Sequence, residues 1–130
     1  EVWQKAARLV EQHQDILHSP ALAPLLFKEN KPVYDAGMTY YMELAAHTKI
    51  WGEPFFFPRV RELKVRWDEY LEGIRQKIRM KEFDLIMLED WSWMNVRDLI
   101  LQYYDYQEVL VLRMPYSRQT WWLEVWKPKP

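Results

Sequence analysis

The sequence predicts an α/β fold: a three-layer sandwich with a mostly parallel central sheet of about five strands and a C-terminal antiparallel hairpin. Three observations favour this class. The run 85–88 is apolar throughout, which is typical of a strand covered on both faces, as in a parallel sheet. Apolar residues at spacings of three and four before and after this run indicate helices. Residues 120–126 alternate instead, which is typical of a half-exposed antiparallel edge strand.

The positions of apolar residues, proline and glycine predict the helices and strands of the N-terminal part. Helical spacing of apolar residues indicates the helices, Pro20 stops the first strand, and Gly37 permits a tight exit from the second. In order, we expect a helix at 2–13, a strand at 15–20, one or two helical turns at 21–27, a strand at 31–35, and a helix at 38–51.

The C-terminal part begins with an aromatic loop, 53–58, which is bracketed by prolines. Asn95 is a suitable N-cap for the helix that precedes the hairpin. We expect a long helix at 59–80, a strand at 84–88, a helix at 95–104, a strand at 107–114, a turn at 115–118 and a strand at 120–126. In the last strand, Trp121, Leu123 and Val125 face one way, and Trp122, Glu124 and Trp126 face the other.

Composition limits the possible functions. The chain has 130 residues, a net charge of -1, 49% hydrophobic and 28% charged residues, so we expect one globular domain over 1–130 and no nucleic-acid binding through bulk charge. There is no cysteine, and no apolar run approaches the roughly 18 residues needed to cross a bilayer. Because the chain starts at Glu1 without a methionine, we expect it to be a fragment of a longer protein.

No motif in the sequence indicates a cofactor or a metal. The three glycines form neither a Walker loop nor a dinucleotide fingerprint. His13, His18 and His47 stand apart, without the spacing of metal-binding histidine pairs. We therefore expect no cofactor, no metal site and no catalytic residue in this chain.

Four segments in order carry a resemblance to a known family: ILHSPALAPLL from Ile16, KPVYDAG from Lys31, FDLIML from Phe83 and EVWKP from Glu124. The chain resembles the soluble C-terminal domain of bacterial polytopic membrane glycosyltransferases of the GT-C type, relatives of the dolichyl-phosphate-mannose mannosyltransferases. The segment 50–66 departs from that pattern, because it is longer than the corresponding segment of the family and contains more Phe and Arg.

The resemblance implies a noncatalytic accessory or recognition domain on the extracytoplasmic side of the cell membrane. It implies that the catalytic acid lies in a loop between membrane helices, outside this chain. The implied partners are the transmembrane part of the same polypeptide, a lipid-linked sugar and the membrane surface. The alternative is a freestanding carbohydrate-binding or protein-interaction module without enzymatic activity.

Several polar and aromatic residues fall at or after the C-terminal ends of predicted strands, where ligands of parallel sheets collect. Carboxylates beside flat aromatic faces suit a sugar ring, whose C–H face stacks while its hydroxyls bind acceptors. Alternatively, the carboxylates cap helices and the indoles close the core. The hypothetical sugar-binding rim consists of His18, Asp35, Tyr40, Glu89, Asp90, Trp91 and Trp93.

A second hypothesis concerns the aromatic loop and the start of the long helix. Exposed aromatic residues beside arginines match a surface that rests on anionic lipid headgroups. The alternative is a solvated helix face with ion pairs such as Glu62 with Arg66. The hypothetical membrane-facing residues are Phe55, Phe56, Phe57, Arg59 and Arg61.

Overall fold

The computed structural model of the protein describes residues 1–34, 60–89, 96–113 and 118–130. These ranges contain helices and strands that alternate along much of the chain. In order, they are α1 (Val2–Gln12), β1 (Ile16–His18), a short 3₁₀ turn (Pro20–Leu22), α2 (Ala23–Lys28), α3 (Val60–Arg79), β2 (Leu85–Leu88), α4 (Arg97–Tyr103), β3 (Tyr104–Arg113) and β4 (Thr120–Pro128).

The four described strands form one open sheet in the order β1-β2-β4-β3. Strand β1 runs parallel to β2, whereas β4 pairs antiparallel with both β2 and β3. The α/β class and the C-terminal hairpin are therefore confirmed. A mostly parallel sheet of about five strands is wrong for the described residues, because β4 returns between β2 and β3. Because β2 is buried on both faces, its sequence is apolar throughout whether the adjacent strand is parallel or antiparallel.

Residues 31–34 form no strand, so the strand predicted at 31–35 is wrong over its described part. Pro32 has no amide hydrogen to give to a sheet. The side chain of Lys31 turns back to α1, where its Nζ donates to backbone carbonyl oxygens at the C-terminal end of that helix. This segment is therefore tied to a helix and adds no strand to the sheet.

Other predictions differ from the structure by a few residues or fall outside the described ranges. The long helix is confirmed at 60–79, and β3 begins at Tyr104, three residues earlier than predicted. Helix α4 begins at Arg97, with Val96 at its N-cap position. The predicted N-cap Asn95, the helix at 38–51, the loop at 53–58 and residues 115–117 of the turn lie outside the described residues.

The buried residues form two clusters that use alternate residues of the strands. One cluster joins α3 and α4 to the sheet through Leu17, Ile86, Leu88, Tyr104 and Trp126. The other joins α1 and α2 to the sheet through Ile16, Leu85, Met87, Leu110, Leu112, Leu123 and Val125. Successive side chains of a strand point to opposite faces, which explains why each strand contributes to both clusters.

Helices α2 and α3 end in the same kind of turn. Asn30 and Lys81 both have φ of 54°, the left-handed conformation that usually falls to glycine at a helix end. After α3, the amide of Lys81 donates to Ile78 O at 3.0 Å and that of Glu82 to Lys77 O at 2.9 Å. These two hydrogen bonds satisfy carbonyl groups that the helix itself leaves free.

Candidate functional site

The carboxyl ends of β1 and β2 bring together a polar group of residues, which we call the strand-end cluster: His18, Ser19, Tyr34 and Glu89. Tyr34 is partly buried, and the other three are buried. The amide of Ser19 donates to Met87 O at 2.8 Å, which continues the parallel pairing by one residue. The Ser19 hydroxyl donates to Glu89 Oε1 and accepts from the amide of Ala21 at 3.1 Å. His18 and Ser19 are fully buried and Glu89 is 3% exposed, so this hydroxyl links two strand ends inside the protein.

The hydrogen bonds of His18 define the state of its ring. Nδ1 donates to Ser19 O at 2.8 Å, because a carbonyl can only accept. Nε2 accepts from the amide of Tyr34 at 3.0 Å, so it carries no proton. Burial lowers the pKa of His18, against a smaller rise from the bond to Ser19 O. The imidazole is therefore neutral, with its one donor and its one acceptor both used within the chain.

Two of the seven residues of the predicted sugar-binding rim are described, and the structure brings them to the same strand ends. Both His18 and Glu89 bond to Ser19, His18 to its carbonyl and Glu89 to its hydroxyl. The other rim residues, Asp35, Tyr40, Asp90, Trp91 and Trp93, lie outside the described residues. The rim as a sugar-binding site stays a prediction.

The predicted membrane-facing surface also stays a prediction. Arg61 lies in α3, where the structure describes its backbone. The other four residues, Phe55, Phe56, Phe57 and Arg59, lie outside the described residues. Within the described ranges, no helix is long and apolar enough to cross a membrane.

A second polar group, which we call the tyrosine cluster, consists of Asp15, Tyr34 and Lys77. The Tyr34 hydroxyl donates to Asp15 Oδ1 at 2.7 Å. Lys77 Nζ donates to Asp15 Oδ2 at 3.0 Å and to the Tyr34 hydroxyl at 2.8 Å. No pattern in the sequence predicts this cluster, because its members lie far apart in the chain and on three different segments.

The tyrosine cluster shifts the pKa of two of its members. Burial is the largest cause of the raised pKa of Tyr34, and the bond from Lys77 opposes it. Burial also acts to lower the pKa of Lys77, but its bonds to Tyr34 and Asp15 outweigh that effect and raise the pKa. Both groups therefore hold their protons more firmly than in water. Among the described residues, no group of His, Asp and Glu side chains is arranged to hold a metal ion.

One face of the β3-β4 hairpin is open to solvent in the described structure. This open hairpin face consists of Tyr106, Val109, Val111, Trp122 and Glu124, which cross-strand pairing places on the same side. Trp122 is 59% exposed, Tyr106 52% and Val109 37%. The opposite face of the hairpin packs against α1 through the second buried cluster. The predicted division of 120–126 into two faces is confirmed by these positions. The predicted edge position is wrong, because β4 lies between β2 and β3.

A fixed ion pair lies beside the exposed indole on the open hairpin face. Arg97 Nη2 donates to both carboxylate oxygens of Glu124, at 3.0 and 3.1 Å. The Glu124 side chain is 14% exposed and that of Arg97 is 40% exposed, so the guanidinium reaches solvent beside the strand. Near the other end of this face, Tyr106 meets Trp126 edge-on, with ring centroids 5.5 Å apart. Exposed aromatic rings and hydrogen-bonding groups thus lie side by side on the open hairpin face.

Comparison with known protein families, with curated proteins and with solved structures finds no match for this chain. The resemblance to a glycosyltransferase domain therefore stays a prediction.

Proposed function

We propose that this chain is a noncatalytic carbohydrate-recognition module whose binding surface is the open hairpin face. The observation that carries the proposal is the indole of Trp122, 59% exposed on the sheet surface next to the Arg97–Glu124 pair. An isolated exposed apolar residue needs no explanation, but this one stands in a group with Tyr106 and Val109.

The chemistry of the face suits a sugar ring. The C–H face of a pyranose stacks on a flat aromatic ring, and its hydroxyl groups both donate and accept hydrogen bonds. Trp122 and Glu124 are two residues apart on one strand, which separates them by about 7 Å along the sheet. A ring stacked on Trp122 would therefore direct hydroxyls toward a carboxylate acceptor and the donors of Arg97.

The resemblance to membrane glycosyltransferases supports the same class of ligand. In that setting, the module would lie on the extracytoplasmic side of the membrane, beside the transmembrane part of its own polypeptide, and would bind a lipid-linked or acceptor sugar. The helices would form the outer layers of a three-layer sandwich. The two buried clusters, which join α1 and α2 or α3 and α4 to alternate strand residues, support this layering.

Saturation-transfer NMR on the whole chain with methyl mannoside, glucoside and galactoside tests the proposal. We expect transfer to at least one sugar, strongest at the C–H protons of the face that stacks on the indole. Trp122→Ala should abolish this transfer. Phe27→Ala removes a 70% exposed ring from α2, on another part of the protein, and should leave the transfer unchanged.

Two results would contradict the proposal. One is the absence of transfer to all three sugars at millimolar concentration from a folded protein. The other is transfer that persists in Trp122→Ala, since the sugar would then bind somewhere other than the open hairpin face.

A further inference from the structure

We propose that His18 is a pH-sensitive latch, which holds the backbone of Tyr34 while the imidazole is neutral and releases it when the ring is protonated. The proposal is independent of the carbohydrate function. It concerns the segment 31–34, which follows α2 and is tied to the rest of the protein at several points.

The geometry of the imidazole carries the inference. Nε2 accepts the amide hydrogen of Tyr34 at 3.0 Å, and Nδ1 donates to Ser19 O at 2.8 Å. A protonated imidazole has two donors and no acceptor. Its Nε2–H would then face the N–H of Tyr34, and the hydrogen bond could not form. Since His18 is fully buried, losing this partner is costly for the Tyr34 amide.

The groups around His18 come from four segments. Glu89 follows β2 and accepts from Ser19, whereas Asp15 precedes β1 and bonds to Tyr34 and Lys77 of the tyrosine cluster. The Tyr34 ring lies 6.4 Å from the imidazole, centroid to centroid. Burial is the largest influence on the imidazole, and it lowers the pKa. The neutral ring is thus the form that the closed latch requires and that its surroundings favour.

The side chain of Tyr34 stays anchored when its backbone is released. Its hydroxyl bonds to Asp15 at 2.7 Å and to Lys77 at 2.8 Å, and neither bond involves His18. Lys31 remains tied to the end of α1 by a 3.0 Å bond to Glu11 O. Protonation of His18 therefore frees the backbone between two side-chain anchors, without requiring the whole protein to unfold.

The dependence on pH follows from linkage. In the latched state the lone pair of Nε2 accepts the amide hydrogen of Tyr34, so the pKa of the imidazole is lower there than after release. Release therefore takes up a proton as the pH falls. Between the pKa values of the two states, the release equilibrium constant grows about tenfold for each unit by which the pH falls.

Hydrogen exchange of individual backbone amides in the full chain tests the latch. We expect the exchange of the Tyr34 amide, corrected for intrinsic rate, to rise by up to about tenfold for each unit by which the pH falls through the range in which His18 gains its proton. The Ser19 amide, which bonds to Met87 O at 2.8 Å, should keep its protection. An equal rise at both amides would mean general acid unfolding and would overturn the proposal.

Two variants distinguish the effect of protonating His18 from other effects of low pH. In His18→Gln, which cannot titrate, the rise at Tyr34 should be absent. His13 donates Nδ1–H to Leu9 O at 2.7 Å, a bond that protonation of its other nitrogen leaves intact. His13→Gln should therefore keep the rise seen in the wild type.

A direct measurement covers the case in which His18→Gln folds poorly. The long-range ¹H–¹⁵N spectrum of the wild-type imidazole should show Nε2 unprotonated at neutral pH. It should then gain its proton over the pH range in which the Tyr34 amide loses protection. Protonated Nε2 at neutral pH, or constant protection of Tyr34 while the ring titrates, would refute the latch.

Discussion

Replacing Ser19 by alanine should lower the free energy of unfolding by about 3 kcal/mol. The hydroxyl gives a buried hydrogen bond to the Glu89 carboxylate, and hydrogen bonds to charged groups contribute about 1.5–3 kcal/mol. It also accepts from the amide of Ala21 at the start of the 3₁₀ turn, a capping bond that contributes about 1 kcal/mol. Ser19 and Glu89 are both buried, so water cannot easily replace the lost oxygen at the carboxylate.

A double-mutant cycle measures the Ser19–Glu89 bond apart from other effects. Urea unfolding of the wild type, Ser19→Ala, Glu89→Gln and the double variant gives four free energies of unfolding. We expect the two changes to be non-additive by more than about 1 kcal/mol, because either one weakens the same bond. Glu108→Gln is the matched control. It breaks a half-exposed ion pair with Lys5 and should cost less than about 1 kcal/mol.

The reasoning would be refuted by a cost below about 0.5 kcal/mol for Ser19→Ala, the range of ordinary surface substitutions. It would also be refuted by additive costs in the cycle, since the two side chains would then act independently. A changed urea dependence in one variant would have to be excluded first, because it would signal a different unfolded or folded state.

The remaining predictions concern the helices and the tyrosine cluster. Gly73→Ala in α3 should raise the urea midpoint and stabilise the protein by about 0.8–1 kcal/mol, because a Cβ there meets nothing within 4 Å. Lys81→Gly should stabilise by about 0.5–1 kcal/mol in thermal unfolding, since it relieves the left-handed conformation, and Asn30→Gly should do less. Because the pKa values of Tyr34 and Lys77 are raised, their stabilising effect is complete below about pH 10 and lost as the pH rises. Tyr34→Phe should reduce this loss of unfolding free energy at alkaline pH, measured by urea unfolding between about pH 9 and pH 11.

Each of these predictions has its own control. Lys81→Ala removes the same side chain but keeps the strained backbone, so a gain equal to that of glycine would contradict the conformational explanation. A destabilising Gly73→Ala would mean that the helix surface at this position is in contact with something. An unchanged alkaline loss in Tyr34→Phe would show that other groups cause it.

The sequence predicted those elements whose pattern extends over many residues. The 20-residue helix α3 was predicted to within one residue at each end, because its apolar spacing continues over the whole length. The two faces of β4 followed from strict alternation. The neighbours of β2 could not be predicted in the same way, since four buried residues carry no sign of strand direction. At 31–34, the apolar residues resembled a strand, but Pro32 lacks an amide hydrogen and Lys31 bonds to the end of α1.

The candidate site was predictable only where it coincides with strand ends. His18 and Glu89 follow from the rule that polar residues gather at the carboxyl ends of parallel strands. Ser19 gave no nucleophile motif, and its bond to Glu89 depends on the parallel register of β1 and β2. The Arg97–Glu124 pair joins a helix to a strand 27 residues away, a distance over which one sequence gives no pairing signal.

The most direct test of the recognition function is a sugar titration followed on the protein by ¹H–¹⁵N NMR. The account predicts saturable shifts at the indole N–H of Trp122 and at amides of β3 and β4, with the helix α2 amides unaffected. Unchanged spectra with mannose, glucose and galactose, or shifts that avoid the hairpin, would contradict it.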